Sequence, residues 1–342
     1  MNNDKSITPF VSIIIVNWNG RNLLNECLSA LITQTYQNFE VIFVDNGSHD
    51  DSLNFIQNKF PFVIIVALES NQGFTGGNIA GFQISKGEHI VLLNNDACLC
   101  ERWLEHMVAS ITSDPHIGFC SSKIIIAGTR LIDSAGDAFT TAFTGTKVGE
   151  HDDESLYTKK KIVPGACAAA VIYKRKMLNE IGFLDNDFFL NHEDTDLNMR
   201  AWLAGWQCMF VPDAVVYHKV NASIGTLSDM SVYYFSRNNE WVWLKNTPLK
   251  LMIRNLPQRL LYEICSCAFF CFKTGKWRPY LKGKWDALCG VSHIMRKRRV
   301  VQRLVRLNSQ EICRGLIPIT AYLRHRLELS ANAEDNHLKD MA

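Results

Sequence analysis

Four short apolar runs organise the first hundred residues, and each ends in a burst of polar side chains. VSIIIV (11–16) runs into Asn17, Trp18, Asn19 and Gly20, and FEVIFV (39–44) into Asp45, Asn46, Gly47 and Ser48. A run over 62–68 leads into Asn71-Gln72-Gly73-Phe74-Thr75-Gly76-Gly77-Asn78, and HIVLLN (89–94) closes on Asn94, Asn95 and Asp96. Runs this short and this branched suit strands buried on both faces, not helices. Between the first two, Leu23, Leu24, Cys27, Leu28, Leu31 and Ile32 recur with a period near 3.6 and predict an amphipathic helix. A short helix after the second run has Asp50, Asp51 and Ser52 as candidate caps, and another runs from the glycine-rich loop towards Lys86. Alternating strands and helices with short connections predict a parallel, doubly wound sheet. All four polar bursts then share one rim, at the carboxyl ends of the strands, where open α/β sheets bind ligands.

The pattern changes beyond a helix expected over 101–113. IGFCSSKIII (117–126) reads as a strand, whereas 127–160 is rich in Gly, Thr and Asp with weak periodicity and reads as loop, with room for a hairpin. VPGACAAAVIYK (163–174) reads as one strand of small residues, and a short helix over 175–181 stops at Gly182. In FLDNDFFLNHEDTDLNMRAWLAGW (183–206), a helix turns Leu197, Ala201, Leu203 and Ala204 inward and stops at Gly205. Its first turn holds Glu193, Asp194 and Asp196. Capping and the helix dipole account for one or two of these acids but poorly for three. A general base needs an ionised carboxylate on a rigid element, which makes Asp194 and Glu193 the candidates; His192 reads as a supporting or surface group. QCMFVPDAVVYH (207–218) alternates into a further strand that ends on His218 and Lys219, before Ala222-Ser223-Ile224-Gly225. Tyr233, Tyr234, Arg237 and Asn238 then open a helix holding Trp241 and Trp243.

Composition narrows the class. With 47% hydrophobic and 20% charged residues, the 342-residue chain is expected to fold. No apolar run approaches the roughly 18 residues of a membrane span. The run 11–16 is too short for a signal-peptide core, and Asp4 and Lys5 put no positive region before it. Eleven cysteines include no CxxC pair, which suggests reduced thiols and a cytoplasmic location. A net charge of +2 conceals an asymmetry: residues 245–326 hold 18 Lys and Arg against three acids, a local +15 that leaves −13 for the rest.

A carboxylate closing a central strand suits a hard divalent cation bridging phosphates, although Asn-Asn-Asp is also an ordinary polar turn. A dinucleotide oxidoreductase would place G-x-G-x-x-G after the first strand. Here that strand is followed by NWNGRN, and the glycine-rich loop arrives only after the third.

Taken together, VSIIIVNWNG, VDNGSHDDS, NQGFTGGN, LLNNDA, PGACAAAVIYKR, FFLNHEDTDLNMRAWLAGW, VVYHKVNASIG and SRNNE resemble, in order and spacing, a family 2 glycosyltransferase. The resemblance is strongest to bacterial rhamnosyltransferase-like enzymes of cell-surface polysaccharide assembly and covers about residues 10–245. It implies a GT-A fold, a doubly wound mixed sheet, with a nucleotide-sugar half (11–100) and an acceptor half (101–245). It also implies inverting transfer of a sugar from a nucleotide-diphospho-sugar to a glycan or lipid-linked glycan. By that resemblance Asn17 and Asp45 contact the nucleotide, and Asn71, Gly73 and Asn78 lie in the donor loop. Asn94 and Asn95 join the substrate-binding set ahead of Asp96, the metal carboxylate; Asp194 is the base, with Glu193 beside it; His218 completes the shell of a Mg²⁺ or Mn²⁺ ion. Asn94 stands where the full D-x-D motif has Asp, so metal dependence is not assured. Transfer to a polyprenyl phosphate and a non-catalytic sugar-nucleotide-binding role are the alternative readings.

The resemblance helps least outside that span, where 1–10 reads as a leader, 246–330 as a basic amphipathic helical extension and 331–342 as a disordered end. In the extension an apolar stretch (260–272) is followed by Lys273, Lys276, Arg278, Lys282 and Lys284 among Trp277, Tyr280 and Trp285, and then by MRKRRVVQRLVRL (295–307). Aromatics beside cations favour a membrane–water interface, so peripheral attachment to the inner face of the plasma membrane is expected. A plain helical cap on the catalytic domain is the alternative. No nucleic-acid-binding module accompanies the basic stretch.

Overall fold

The computed structural model describes residues 8–220 and 227–340. Most of the 1–10 leader and the Ala222–Gly225 part of the His218 motif lie outside the described residues. The first half follows the hydrophobic pattern closely. Strands β1 (Val11–Asn17), β2 (Phe39–Asp45), β3 (Ile64–Ala67) and β4 (His89–Asn94) alternate with helices α1 (Arg21–Ile32), α2 (Ser52–Lys59) and α3 (Gly73–Ile84). All pairings among the four strands are parallel. Along β1, Ile13 and Ile15 enter the core on one face and Ile14 the core on the other, as a strand buried on both sides requires.

Register fixes the rim. Asn17 lies opposite Asp45, Val16 opposite Asn94, and Asp45 opposite Ala67, so the polar ends of the strands finish level with one another.

The second half makes the sheet mixed. Strand β5 (Ala97–Leu99), helix α4 (Trp103–Thr112) and strand β6 (Ile117–Ile126) come next. The stretch expected as loop holds three short strands, β7 (Ile132–Ser134), β8 (Asp137–Thr140) and β9 (Gly145–Lys147), the last two forming a hairpin. The single strand expected over 163–174 is two: β10 (Lys161–Val163) and β11 (Ala170–Lys174). The small residues between them form a turn, and Ala168 offers its backbone N–H to Asp194 there. After α5 (Arg175–Ile181) and α6 (Glu193–Leu203), β12 (Gln207–His218) completes a sheet of order β10-β12-β6-β11-β4-β1-β2-β3. β11 is antiparallel to both its neighbours; β5 pairs with β12 and β7 with β6.

Helix α7 (Asp229–Asn246) carries the C-terminal region. That region comprises α8 (Leu249–Arg254), α9 (Leu256–Ala268), a π-helical turn (Phe269–Lys273), α10 (Trp277–Cys289), α11 (Val291–Leu304), α12 (Ser309–Arg314), β13 (Leu316–Ile317) and α13 (Ile319–Asp340). It is built into the body. Helices α10 and α11 pack on α7, and β13 pairs with β8. Trp241, Val242 and Trp243 share a core with Ala287, Ile294, Ile312 and Leu316. Helix α13 spans Ile319–Asp340. Several of the cations counted above face inward. Arg259 is buried against Glu240 (2.9 Å) and Glu263 (2.7 Å), Lys297 pairs with Asp185 and Asp187, and Arg298 donates to the Leu244 carbonyl.

Asp196 anchors α6. It is fully buried, accepting from Arg200 Nε (2.9 Å), Lys245 Nζ (2.9 Å) and Asn246 Nδ2 (2.8 Å). Asp196→Ala leaves two buried cations short of a partner and is expected to cost about 3–5 kcal/mol, read as a lowered Tm or denaturation midpoint. A thermal midpoint equal to that of the parent protein would show that the network is dispensable.

Candidate active site

The rim is assembled by side chains that bond to one another across strand ends. Asn95 Nδ2 donates to Asn17 Oδ1 (2.8 Å), and Asn17 Nδ2 donates to Ser52 Oγ (3.0 Å) and Ser48 Oγ (3.3 Å). This cross-bracing requires Gly20, where a Cβ would fall 2.4 Å from Asn95 Nδ2 and 2.5 Å from Asn17 Oδ1. Asp45 accepts the Ser48 N–H with Oδ2 (3.1 Å), while its buried Oδ1 has no partner. A buried carboxylate oxygen without a partner is an unused acceptor. A cavity of about 660 Å³ follows the end of β1, lined by Trp18, Asn19, Gly20, Arg21, Asn22, Leu23 and Asp50.

The glycine-rich loop is held by side chains of its own and of β2's end. Asn71 Oδ1 accepts from Asn46 Nδ2 (3.0 Å) and from the Gly73 N–H (2.8 Å), so Asn71 shapes the loop. Gly73 has φ +72° and lies against Phe189, whose carbonyl would be 2.4 Å from an added Cβ. Asn78 is buried in α3 and spends its amide on the Phe74 carbonyl (2.8 Å). Asn46, absent from the candidates, ties the loop to β2 by donating also to the Gly73 carbonyl (3.0 Å) and accepting from Gln72 N (2.9 Å).

Asp96 and His218 do meet. His218 Nε2 lies 3.1 Å from Asp96 Oδ1, and Nδ1 lies 2.9 Å from Asp133 Oδ2. The pairing of β5 with β12 sets Ala97 opposite His218, which brings the two chains together. Burial opposes the imidazolium, but the two carboxylates outweigh it and raise His218 to about 9. Asp133 is itself held at about 2: burial works against its charge, and His218 and Lys147 overcome that. The sequence missed Asp133 and Lys147 because both lie in the weakly periodic 127–160 stretch. The Asp-Ser and Gly-Thr-Lys alternations that make β7 and β9 were the faint signal available.

The cation implied by the resemblance was tested on these atoms. Asp96 Oδ1 is buried and accepts no well-aligned hydrogen bond, and the donors nearby are oxygen and nitrogen. Among the described residues no group of three or more His, Cys, Asp or Glu forms a metal cage. One carboxylate and one imidazole fit a cation whose remaining ligands are diphosphate oxygens and water, the usual arrangement for Mg²⁺. Asp133 would then hold the proton on Nδ1 and leave Nε2 free to ligate.

The acids of α6 divide into distinct roles. Asp194 faces a second cavity of about 490 Å³, whose walls include Asp137, Lys147, Cys167, His192, Thr195 and Phe270. Its Oδ1 accepts the Thr195 N–H (2.6 Å), and Oδ2 accepts the Ala168 N–H (3.5 Å). Burial raises its carboxyl above the usual range; these N–H groups and the Lys147 charge pull the other way. Glu193 is buried outside that lining, its Oε2 unpartnered, and burial followed by the Asp194 charge pushes it to about 8. Of the two acids, Asp194 is the one that lines the cavity. His192, expected as supporting or surface, lines the cavity at φ +66°, and burial lowers it to about 3, so it is a neutral wall. Lys147 links the two halves: it reaches Asp133 on the Asp96 side and lines the cavity that holds Asp194.

Comparison with known proteins fits this geometry. The family description "Glycosyl transferase family 2" matches residues 12–182, half of the chain. An uncharacterised Sinorhizobium fredii protein is 28% identical over 231 residues, 64% of this chain but only 25% of its own length. Glycosyltransferase AglE of Haloferax volcanii is 24% identical over 62% of this chain and 68% of its own. Among solved structures, GalNAc-T7 with UDP, GalNAc and Mn²⁺ superposes with a TM-score of 0.56 at 17% identity, over 76% of this chain and 58% of the other. The fold is GT-A, a mixed α/β sheet with a helical C-terminal region. A chain with this sheet, this rim and half its length within the family description belongs to glycosyl transferase family 2.

Proposed function

We propose that this protein is an inverting glycosyltransferase. It moves a sugar, with a deoxyhexose such as rhamnose the expected type, from a nucleotide-diphospho-sugar to a hydroxyl of a glycan or lipid-linked glycan. The setting is cell-surface polysaccharide assembly at the inner face of the plasma membrane. The observation that carries the reading is Asp194, an ionisable carboxylate on a rigid helix turned into a cavity large enough for an acceptor.

The acceptor oxygen attacks the anomeric carbon from the face opposite the diphosphate. Its bond to carbon forms as the bond to the diphosphate oxygen breaks, and Asp194 takes the hydroxyl proton. One displacement inverts the centre. Asn17 and Asp45 orient the nucleotide at the rim, and Thr195 N–H and Ala168 N–H hold the Asp194 carboxylate in position. A divalent cation held by Asp96 and His218 would offset the charge growing on the departing diphosphate.

A panel of UDP-, dTDP- and GDP-sugars, read by thermal shift and by release of the nucleoside diphosphate, tests the reading. One nucleotide class should both stabilise the protein and turn over; stabilisation without turnover by any donor would favour a binding protein. A second expectation follows from Lys147, whose charge helps to keep Asp194 ionised. Lys147→Met removes a lowering influence, so the Asp194 carboxyl rises further. Because the base must be ionised, the acidic limb of the kcat/KM profile moves to higher pH. An unmoved limb would mean that Lys147 does not act on the base.

A further inference from the structure

Helices α9 and α10 each bury one face on the body and leave an apolar face outside. On α9, Leu260 and Ile264 stand outward while Arg259 and Tyr262 are buried. On α10, Trp277, Leu281, Trp285 and Leu288 recur at helical spacing on the outer side, and Tyr280, Gly283 and Ala287 are buried. Between the two helices the π-helical turn exposes Phe272, at 85% of its full area; Ile264 and Trp285 stand at 68% and 64%. Exposed apolar side chains this large, concentrated on two successive helices and the turn between them, call for a use.

Charge specifies the occupant. Between residues 249 and 300 the acids are Glu263 and Asp286, and both are engaged inward. Glu263 pairs with Arg259 (2.7 Å), and Asp286 accepts from the Tyr233 hydroxyl (2.7 Å). The exposed charges of α8 and α10 are Lys250, Arg254, Arg278 and Lys282, all cationic. An outer face of Trp, Phe and Leu bordered mainly by cations, with Asp229 paired to Lys276 (2.6 Å) at the start of α10, complements an anionic bilayer surface, where indole rings sit at headgroup depth. No helix among the described residues is long and apolar enough to cross a membrane. The same turn closes the cavity beside Asp194: Phe269 and Phe270 line it together with Leu227, Val232 and Phe235, and Phe269 is also exposed.

We infer that α9, the Phe269–Lys273 turn and α10 seat in the headgroup region of an anionic leaflet, with the turn as the lip over which a lipid-borne acceptor reaches Asp194. The acceptor half of this statement rests on the glycosyltransferase reading; the docking half does not. The inward pairing of Arg259, Lys297 and Arg298 makes apolar insertion, more than the summed charge of the extension, the source of binding.

The test uses the full chain with vesicles of equal parts phosphatidylcholine and phosphatidylglycerol, and with phosphatidylcholine alone, read by co-sedimentation and tryptophan emission. The parent protein should bind the anionic vesicles with a blue-shifted emission. Phe272→Ser combined with Leu281→Ser and Trp285→Ser should weaken partitioning about tenfold or more, with an unchanged Tm and unchanged donor-dependent nucleotide release. Partitioning unaffected by the triple substitution would overturn the inference, as would failure of the parent to bind either vesicle. A lipid-free dimer that the triple variant dissolves would overturn it in favour of a second copy on this face. Vesicle binding without donor turnover would sink the enzymatic reading and the lip, leaving the docking surface standing.

Discussion

Replacing Asp194 with Asn lowers kcat by about two to four decades and leaves donor affinity little changed. The substitution keeps the size of the side chain and one oxygen to accept the Thr195 N–H (2.6 Å), the shorter of its two backbone contacts, while the Ala168 N–H, 3.5 Å from the other oxygen, loses its acceptor. What is lost is the capacity to take a proton. Glu193→Gln is the informative control, because burial disfavours the charged form of Glu193 and the side chain lies outside the cavity lining. It should cost much less. If the Gln variant were dead and the Asn variant active, the roles of the two acids would have to be exchanged.

Asp96→Ala should lower transfer by about a hundredfold or more while thermal stability changes little. The argument is electrostatic. Asp96 Oδ1 is a buried oxygen just beyond the central strand that makes no aligned hydrogen bond, and in the proposed reaction the charge developing on the leaving diphosphate would be met there. His218 remains paired with Asp133 after the substitution, which preserves the local fold. Asn94→Asp should keep activity, because it supplies the charge that the full D-x-D motif carries at that position. Kinetics over a Mn²⁺ titration checks both variants. Full activity of Asp96→Ala would remove Asp96 from the site, and full activity of the parent in EDTA would remove the cation while leaving Asp194 in place.

The strand-end residues were legible because β1, β2 and β4 are short, apolar and parallel. In such a sheet the residue after the last apolar position is bound to reach the rim, so Asn17, Asp45 and Asp96 could be read from pattern alone. Asn71, Gly73 and Asn78 were placed together after β3. Spacing does not encode their hydrogen-bond partners: Asn71 Oδ1 accepts the Gly73 N–H, and Asn78 donates to the Phe74 carbonyl. Asp133 and Lys147 were hidden for a different reason. Their strands are three residues each, too short to show alternation, and they gain meaning only when β7 pairs with β6 and β9 with β8. The C-terminal region was legible as basic and helical, but composition could not say which cations face inward. Arg259 finds Glu240 on α7 and Arg298 finds the Leu244 carbonyl, contacts made by tertiary packing. The outward Trp277 and Trp285 were visible as aromatics among lysines; that they stay uncovered was not.

Single displacement assisted by Asp194 is the centre of this account, and the anomer first released from the matched sugar nucleotide tests it most directly. With the donor identified from the panel and water as the acceptor, early proton NMR spectra distinguish the two anomers before they equilibrate. The account predicts release of the sugar with its configuration inverted relative to the donor, at a rate that collapses in the Asp194→Asn variant. Release with retained configuration, or inverted release that ignores the Asp194 substitution, would contradict it.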